Sequence, residues 1–216
     1  MTMTDAPAIP KMAAAVVVLR DGPDGPEVLV GQRTPKAKFM GGFWVFPGGR
    51  VDPGDGVGEA AWPHAAAREV REEVGIVVDA AGLRAFDRWV TPEPLPKRFD
   101  TVFFLARAPE GAAPVIDGEE IVDSRWATPA ALLRDAEEGR AVLAFPTMRQ
   151  LEALAEHATV DAAFTACPAT LPDATLPVVG EHEGDPVLTI PGPDGHPVHY
   201  RSGLIPQGER PPGMPG

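Results

Sequence analysis

The chain contains little of three features that would point to particular protein classes: cysteine, basic residues and long hydrophobic runs. Cys167 is the single cysteine among 216 residues. It excludes an internal disulfide, which agrees with a reducing compartment. Cys167 stands in a stretch rich in proline, alanine and threonine with no obvious base beside it, so a catalytic thiolate is not indicated.

Basic residues are clearly outnumbered, with 19 Lys and Arg against 31 Asp and Glu and a formal net charge of −12. Because a phosphate backbone requires a basic surface, this balance argues against nucleic acid as a partner. It does not exclude a small phosphorylated ligand, since a bound metal ion neutralises local acidic charge and lets phosphate approach.

Residues 13–19 form an apolar run that is too short for a membrane helix and badly placed for a signal peptide. Residues 1–10 also lack a basic start followed by an apolar segment. We therefore expect a soluble, cytoplasmic protein with no membrane partner.

Proline and glycine are abundant, at 26 and 23 residues, and they divide the chain into short elements. Alternation and turn signals predict strands at 13–20, 27–33, 43–46, 83–91, 98–107, 121–127, 187–190 and 197–204. Helices are predicted from between 58 and 63 to Val74, from Pro129 to about 138, and from Pro146 to about 157. This order, without regular βαβ alternation, indicates an α/β protein of the α+β type with a mixed sheet and helices on its faces.

The same signals suggest four regions along the chain. We expect a flexible N-terminus over residues 1–11, a main domain over 12–160, an extension with short strands over 161–206, and a disordered tail over 207–216.

The helix that ends at Val74 carries Glu69, Glu72 and Glu73 at positions i, i+3 and i+4, which fall on one face. Three neighbouring carboxylates repel one another, so a cation is expected above them. Oxygen ligands at this density suit Mg²⁺ or Mn²⁺. The alternative is a solvated helix face on which Arg68 and Arg71 pair with the glutamates.

A strand followed by Gly48-Gly49 precedes this helix, and adjacent glycines let the backbone approach a ligand or a metal closely. An ordinary tight turn is the alternative explanation for the glycine pair. Together with the helix, however, the glycines form a longer pattern.

That pattern resembles the signature of the Nudix hydrolases, which is Gly, five residues, Glu, seven residues, then Arg-Glu-apolar-x-Glu-Glu-x-Gly-apolar. Residues 68–76 match its second half completely. The first half departs twice: Asp55 replaces the glutamate, and twelve residues instead of seven precede Arg68. The longer loop lies within residues 54–62, where Glu59 is a second candidate for the missing glutamate.

The resemblance covers residues 12–160 and implies a Nudix-like α/β/α sandwich with divalent-metal-dependent hydrolysis of a diphosphate bond. It implies Glu69, Glu72, Glu73 and the Gly49 carbonyl as Mg²⁺ or Mn²⁺ ligands, with Glu69 and Glu72 catalytic. The general base is either one of these glutamates or a residue of a later loop, where Asp117, Glu119 and Glu120 are candidates and Glu120 is slightly favoured. Arg68 is expected to position the loop or a glutamate.

Residues upstream of the glycines resemble an additional motif of the coenzyme A diphosphatases, and residues 89–92 and 98–101 resemble the peroxisomal and mitochondrial members of that branch. The matching positions are Leu29-Val30, Arg33-Thr34, Lys38, Gly42 and Phe46-Pro47-Gly48-Gly49. The resemblance implies coenzyme A or an acyl-coenzyme A as the substrate. Arg33 and Lys38 would bind the 3′-phosphate that coenzyme A carries besides its diphosphate, and Phe39 would offer apolar surface to the pantetheine or acyl arm. Gly48 and Arg50 complete the expected substrate-binding set.

Two alternatives remain open at this point. The first is a Nudix enzyme for ADP-ribose, a nucleotide sugar or a dinucleotide, in which Phe43, Trp44 or Trp89 stacks a base instead of packing in the core. The second is a Nudix-fold ligand-binding module without catalysis. The sequence leaves the oligomeric state open, including a homodimer in which the proline-rich C-terminal segment crosses to a second subunit.

Overall fold

The structure, a computed structural model, describes residues 7–93, 95–192 and 195–201. A seven-stranded mixed sheet forms its centre. The strands of this sheet are β1 (Lys11–Gly22), β2 (Gly25–Arg33), β3 (Trp44–Val45), β4 (Gly48–Arg50), β5 (Arg84–Val90), β6 (Phe99–Arg107) and β7 (Ile121–Ala127). They run in the order β3-β2-β1-β6-β5, with β4 paired to β1 and β7 paired to β2.

Strand β1 organises the sheet because it pairs with three neighbours. It forms a hairpin with β2, an antiparallel pair with β4 over Ala13–Ala15, and the parallel pair with β6 that makes the sheet mixed. Its side chains alternate strictly between the two faces of the sheet. Ala15, Val17 and Leu19 belong to one buried cluster, and Ala14, Val16 and Val18 belong to the other.

Each face of the sheet is covered by helices, which confirms the predicted α/β/α sandwich. The 14-residue α1 (Ala61–Val74) packs Ala66, Val70 and Val74 on one face, and Gly75 ends it in the left-handed conformation at φ 68°. The other face carries α2 (Pro129–Glu137), α3 (Phe145–Ala155) and α4 (Val160–Ala166). Short 3-10 helices lie at Pro53–Asp55, Gly58–Ala60 and Ala80–Gly82.

A second, three-stranded antiparallel sheet follows, built from β8 (Val178–His182), β9 (Asp185–Pro191) and β10 (Pro197–Arg201). Leu188 and Ile190 of β9 are buried in the same cluster as α2, α3 and α4. Tyr200 packs on Phe145 with ring centroids 4.8 Å apart. The C-terminal strands therefore complete the core of the main sheet.

Three elements differ from the sequence prediction. Gly48–Arg50, where the sequence predicted a turn and the start of a loop, is strand β4, because its backbone pairs with β1. Helix α4 was not predicted; it is only seven residues long and begins where Thr159 Oγ1 accepts a hydrogen bond from the amide of Ala162. Strand β8 was not predicted either, and it pairs with β9 through a turn with positive φ at Glu183 and Gly184.

The predictions for the two termini fall partly outside the described residues. The flexible N-terminus concerns mainly residues 1–6, and the disordered tail concerns residues 207–216, none of which the structure describes. The described residues begin earlier than β1, and the carbonyl of Ala8 accepts a hydrogen bond from Arg98 at 2.8 Å. No helix in the described part of the chain is long and apolar enough to cross a membrane.

Candidate active site

The acidic face of α1 lies against strand β4, and the two glycines of β4 make this contact close. A Cβ atom at Gly49 would lie 2.4 Å from Oε1 of Glu69, and one at Gly48 would lie 2.3 Å from the carbonyl oxygen of Ala14. A side chain at Gly48 would collide with backbone atoms of β1, whereas one at Gly49 would displace the Glu69 carboxylate. The backbone amide of Gly48 donates a hydrogen bond to Oε2 of Glu73 at 2.9 Å, which joins the glycine strand to the helix.

The three glutamates differ in their surroundings. Glu73 is buried, with 5% of its side chain exposed, whereas half of the Glu72 side chain is exposed. Burial raises the pKa of Glu73 to about 8, and the nearby charge of Glu69 acts in the same direction. Burial also raises the pKa of Glu69. Burial therefore disfavours the charged form of both carboxylates, and Arg68 offsets part of this effect at Glu69.

Arg68 lies at the other end of this acidic face and holds it in place. Its Nη1 atom donates to Glu69 at 2.8 Å and to Glu72 at 3.1 Å, and Nη2 donates to the carbonyl of Arg50 at 3.0 Å. The guanidinium thus joins α1 to the end of β4. This contact pattern is the one expected for a residue that positions glutamates.

Asp55 occupies the position where the sequence shows aspartate instead of glutamate. Both its carboxylate oxygens accept from Arg68, from Nε and Nη2, each at 2.9 Å. The amide of Asp52 donates to the same carboxylate at 2.8 Å. The hydrogen bond from Arg68 is the main reason that the pKa of Asp55 lies below its ordinary value, since it stabilises the charged form.

The longer loop makes this contact feasible with a shorter side chain. Pro53–Asp55 forms a 3-10 turn that brings Asp55 under Arg68, and Gly58–Ala60 forms a second turn that leads into α1. The other candidate, Glu59, is exposed and has no hydrogen bond to Arg68. The Asp-Pro-Gly-Asp pattern of residues 52–55 is a turn signal that would have identified this arrangement.

Arg33 reaches the site from the end of β2. Its Nη1 atom lies 3.9 Å from Oε1 of Glu73, and Nη2 lies 3.6 Å from Oε2 of Glu120. The Nε atom is buried and has no hydrogen-bond partner among the described residues. Arg33 therefore stands between the helix glutamates and the loop before β7.

The three acidic candidates for the general base in that loop have different surroundings. The side chain of Asp117 accepts hydrogen bonds from the amides of Glu119, Glu120 and Ile121, so it organises the turn. Glu120 is the member that faces the site, through Arg33, and its side chain is 64% exposed. Glu120 therefore lies at the edge of the site, whereas the carboxylate of Asp117 is used in hydrogen bonds within the loop.

The remaining predicted residues lie on the surroundings of the site. Arg50 is exposed and 3.7 Å from Asp52, and Lys38 is exposed in the loop between β2 and β3. Phe39 of this loop contacts Phe99 edge to face, with centroids 5.6 Å apart. Trp44 and Trp89, considered for base stacking, are buried in the core, while Phe43 is half-buried.

Cys167 plays no part in this site. It is half-buried, and burial raises the pKa of its thiol.

The donor chemistry of the site fits a divalent cation. Glu69, Glu72 and Glu73 offer only oxygen atoms, and two of them are under-neutralised carboxylates. In the described residues no group of three His, Cys, Asp or Glu side chains is already arranged around one metal position. Arg68 occupies the space between Glu69 and Glu72, and it supplies positive charge there.

The site thus combines an α/β/α sandwich with a glycine strand held against a glutamate-bearing helix. Residues 10–145, more than half of the chain, match the family described as NUDIX domain. The chain belongs to this family.

Two relatives show the extent of the similarity. A Caenorhabditis elegans protein named as nudix hydrolase 7 is 27% identical over 164 residues, which are 60% of this chain and 56% of that protein, so the match spans little more than half of the relative. The crystal structure of a NUDIX hydrolase from Alicyclobacillus acidocaldarius superposes with a TM-score of 0.67 at 27% identity, over 78% of this chain and all of the other.

A third comparison supports the fold alone. The NUDIX domain of Shewanella oneidensis NrtR, solved with ADP ribose, gives a TM-score of 0.54 at 18% identity, over 67% of this chain and 86% of that one.

Proposed function

We propose that this chain is a Mg²⁺- or Mn²⁺-dependent hydrolase that cleaves a diphosphate linkage, with coenzyme A or an acyl-coenzyme A as its substrate. The observation that supports the activity is the buried carboxylate of Glu73 next to the partly buried carboxylate of Glu69, both against the Gly48-Gly49 strand. Such a pair is costly unless a cation joins it.

Each protein group has a part in the proposed reaction. Glu69, Glu72, Glu73 and the Gly49 carbonyl hold the metal, which when bound offsets phosphate charge and acidifies the attacking water. Arg68, anchored by Asp55, fixes the orientation of Glu69 and Glu72. Glu120, or one of the helix glutamates, accepts the proton of the attacking water.

The proposed substrate rests on Arg33, Lys38 and Phe39, which match the additional motif upstream of the glycines. Arg33 lies at the edge of the carboxylate group, within 3.9 Å of Glu73. At this position the guanidinium suits a phosphate oxygen next to the scissile bond and not the extra phosphate, for which Lys38 is left. Hydrolysis of coenzyme A would yield phosphopantetheine and a nucleotide with phosphates at both its 3′ and 5′ positions.

The alternative substrates are ADP-ribose, a nucleotide sugar and a dinucleotide, and a ligand-binding role without catalysis is the second alternative. The burial of Trp44 and Trp89 disfavours the base-stacking arrangement that these two residues would provide.

The test is a screen of coenzyme A, acetyl-coenzyme A, ADP-ribose and nucleotide sugars with and without Mg²⁺. We expect Mg²⁺-dependent release of phosphopantetheine and a decrease in kcat of about 100-fold or more in Glu69→Gln. Glu137→Gln, an exposed glutamate on α2, serves as the matched control and should retain full activity.

Three results would contradict parts of the proposal. Rapid turnover of ADP-ribose without cleavage of coenzyme A would overturn the substrate. Absence of hydrolysis with any diphosphate would overturn the activity and favour the binding module. Full activity in Glu69→Gln would overturn the assigned metal site.

A further inference from the structure

A partly buried arginine on strand β5 connects the main sheet to the start of α1. Nε and Nη2 of Arg88 donate to the two carboxylate oxygens of Asp100 on β6, at 2.8 and 2.7 Å. The same guanidinium lies over the ring of Trp62, 5.0 Å from the ring centroid, which is a cation–π contact. The hydrogen bond with Asp100 raises the pKa of Arg88, and the charges of Glu59 and Asp173 act in the same direction. Arg88 is therefore charged and held in one orientation.

The strand register places Arg88 on the face of the sheet that α1 covers. Arg88 pairs with Val102 of β6, and Val102 is buried in the same cluster as Trp62. Asp100 is two residues from Val102 along β6, so its side chain lies on the same face. The next residue of β5, Trp89, is buried in the cluster on the other face. The side chain of Arg88 thus meets the helix that carries the glutamates.

Trp62 lies on the same stripe of α1 as two of the glutamates. It precedes Glu69 by seven residues and Glu73 by eleven, and at ~100° per residue the three positions fall within roughly 40° around the helix axis. Trp62 is 4% exposed, and its Nε1 atom has no hydrogen-bond partner among the described residues. Packing and the contact with Arg88 therefore orient the indole ring.

The C-terminal extension supports β5 at this same point. The amide of Thr175 donates to the carbonyl of Arg88 at 2.8 Å, and the amide of Val90 donates to the carbonyl of Thr175 at 2.9 Å. Leu171 packs against the buried cluster on the α1 face. Residues 171–175 thus cover the outer edge of β5 beside Arg88. They lie beyond the family match, which ends at residue 145.

We propose that Arg88 is a positioning residue for the glutamate site: its contact with Trp62 fixes the rotation of α1 and therefore the direction of Glu69 and Glu73. The side chain of Arg88 is bonded to Asp100, so it acts on the glutamates through the helix. A rotation of about 10° at a side-chain radius of roughly 6 Å moves a carboxylate by about 1 Å. The inference rests on the proposed function only for what the glutamates bind.

The first test reports the position of Glu73 without any ligand. The amide of Gly48 donates to Oε2 of Glu73 at 2.9 Å, so its hydrogen-exchange rate, measured by NMR, shows whether this carboxylate is in place. Amides in the middle of β1 report the change in overall stability. In Arg88→Met we expect Gly48 to exchange about tenfold faster than the change in β1 explains, which corresponds to losing one charged hydrogen bond.

The matched control is Arg107→Met. Arg107 also lies over an aromatic ring, 4.4 Å from the centroid of Phe164, and it pairs with Asp161, but both partners belong to α4. This variant should leave Gly48 exchange unchanged relative to β1. If Gly48 and β1 changed by the same factor in Arg88→Met, Arg88 would support only overall stability and the proposal would be overturned. An equal effect of Arg107→Met on Gly48 would also overturn it.

The second test asks whether Arg88 acts through Trp62. Trp62→Phe keeps an aromatic ring and weakens the cation–π contact. The kcat, the KM and the Mg²⁺ dissociation constant are measured for Arg88→Met, Trp62→Phe and the double variant. We expect Arg88→Met to lower kcat about tenfold or more and to weaken Mg²⁺ binding with little change in KM, because the glutamates are displaced.

The double variant decides the route of this effect. If Arg88 acts through Trp62, the two substitutions are not additive, and the double variant should resemble Arg88→Met. Additive losses would overturn the proposal, because each residue would then act independently.

The measurements separate this inference from the proposed function. If the wild-type protein binds no Mg²⁺ and hydrolyses no diphosphate, the proposed function fails, and the exchange of Gly48 still decides whether Arg88 positions Glu73. If the wild-type protein is active but Arg88→Met leaves Gly48 exchange unchanged relative to β1, the positioning role fails and the proposed function stands.

Discussion

Two buried carboxylates at opposite ends of the acidic site, Asp55 in the turn before α1 and Glu73 on α1, have opposite electrostatic surroundings. At one end, Asp55 accepts two hydrogen bonds from Arg68, and its pKa is lowered. At the other end, Glu73 accepts one amide hydrogen bond, lies 3.9 Å from Arg33, and has its pKa raised to about 8. The first carboxylate is neutralised by Arg68, whereas the second has one amide hydrogen bond and a guanidinium at 3.9 Å to stabilise its charged form.

The difference separates a structural role for the carboxylate in the turn before α1 from a proposed ligand-binding role for the carboxylate on α1. A fully paired carboxylate stabilises the fold and is unavailable to a ligand. An incompletely paired one costs stability in the free protein and gains it when a cation binds. Three measurements test this distinction, beginning with the largest expected effect.

Removing Arg68 should produce the largest loss of stability. Arg68→Met leaves Asp55 buried and unpaired, and breaking a buried ion pair in this way costs about 3–5 kcal/mol. Urea denaturation measures the unfolding free energy. Arg71→Met is the control, because Arg71 is exposed and only 4.0 Å from Glu72, and it should change stability by less than about 1 kcal/mol. If Arg68→Met and Arg71→Met lost the same unfolding free energy, the ion pair between Arg68 and Asp55 would have no special structural role.

Metal binding should act at the Glu73 end. Mg²⁺ at a concentration of about 100 times its dissociation constant should stabilise the wild-type protein by about 2.7 kcal/mol relative to the protein in EDTA. The melting temperature, measured by differential scanning calorimetry, reports this change. Glu73→Gln should remove most of it, whereas Glu137→Gln should retain it. A full Mg²⁺ effect in Glu73→Gln would show that Glu73 is not a ligand.

Replacing Asp55 should have the smallest effect of the three and a characteristic pH dependence. Asp55→Asn keeps the side-chain shape and loses a charged hydrogen bond, which costs about 1–2 kcal/mol at neutral pH. The pKa of Asp55 is lower in the folded protein than its ordinary value of 3.8. Its contribution is therefore present above that value and is lost as the pH falls through the folded pKa.

Chemical denaturation at pH 7, 5, 4 and 3 checks this behaviour. The stability difference between the wild-type protein and Asp55→Asn should be constant at pH 5 to 7 and should shrink below about pH 4. A difference that grows as the pH falls would contradict the lowered pKa.

Much of the fold could be predicted from local patterns. The apolar residues of α1 and the glycine that ends it define that helix, and the structure has Ala66, Val70 and Val74 buried as expected. The strand predicted at residues 121–127 is β7, with the same bounds in the structure. Strand β4 could not be predicted, because its three residues, two of them glycine, become a strand only by pairing with β1.

The site was predictable in its residue types and less so in its contacts. The spacing of Glu69, Glu72 and Glu73 placed them on one face, but it did not distinguish the buried Glu73 from the exposed Glu72. That difference depends on the approach of Gly48, which lies far away in the sequence. The role of Asp55 also depended on tertiary structure, since the number of loop residues before Arg68 does not show where the loop folds.

Leu188 and Ile190 of β9 lie in the same buried cluster as residues of β1. This half of the core can therefore be completed only after the C-terminal strands have been synthesised. During synthesis, β9 leaves the ribosome after all the elements of the main sheet have been made. Until then, the apolar surface around Phe145 and Trp89 lacks part of its cover. Nascent chains with such surfaces are the ones that chaperones bind and that aggregate when folding is slow. The helix that holds the glutamates packs on the opposite face, so its half of the core can form while translation continues.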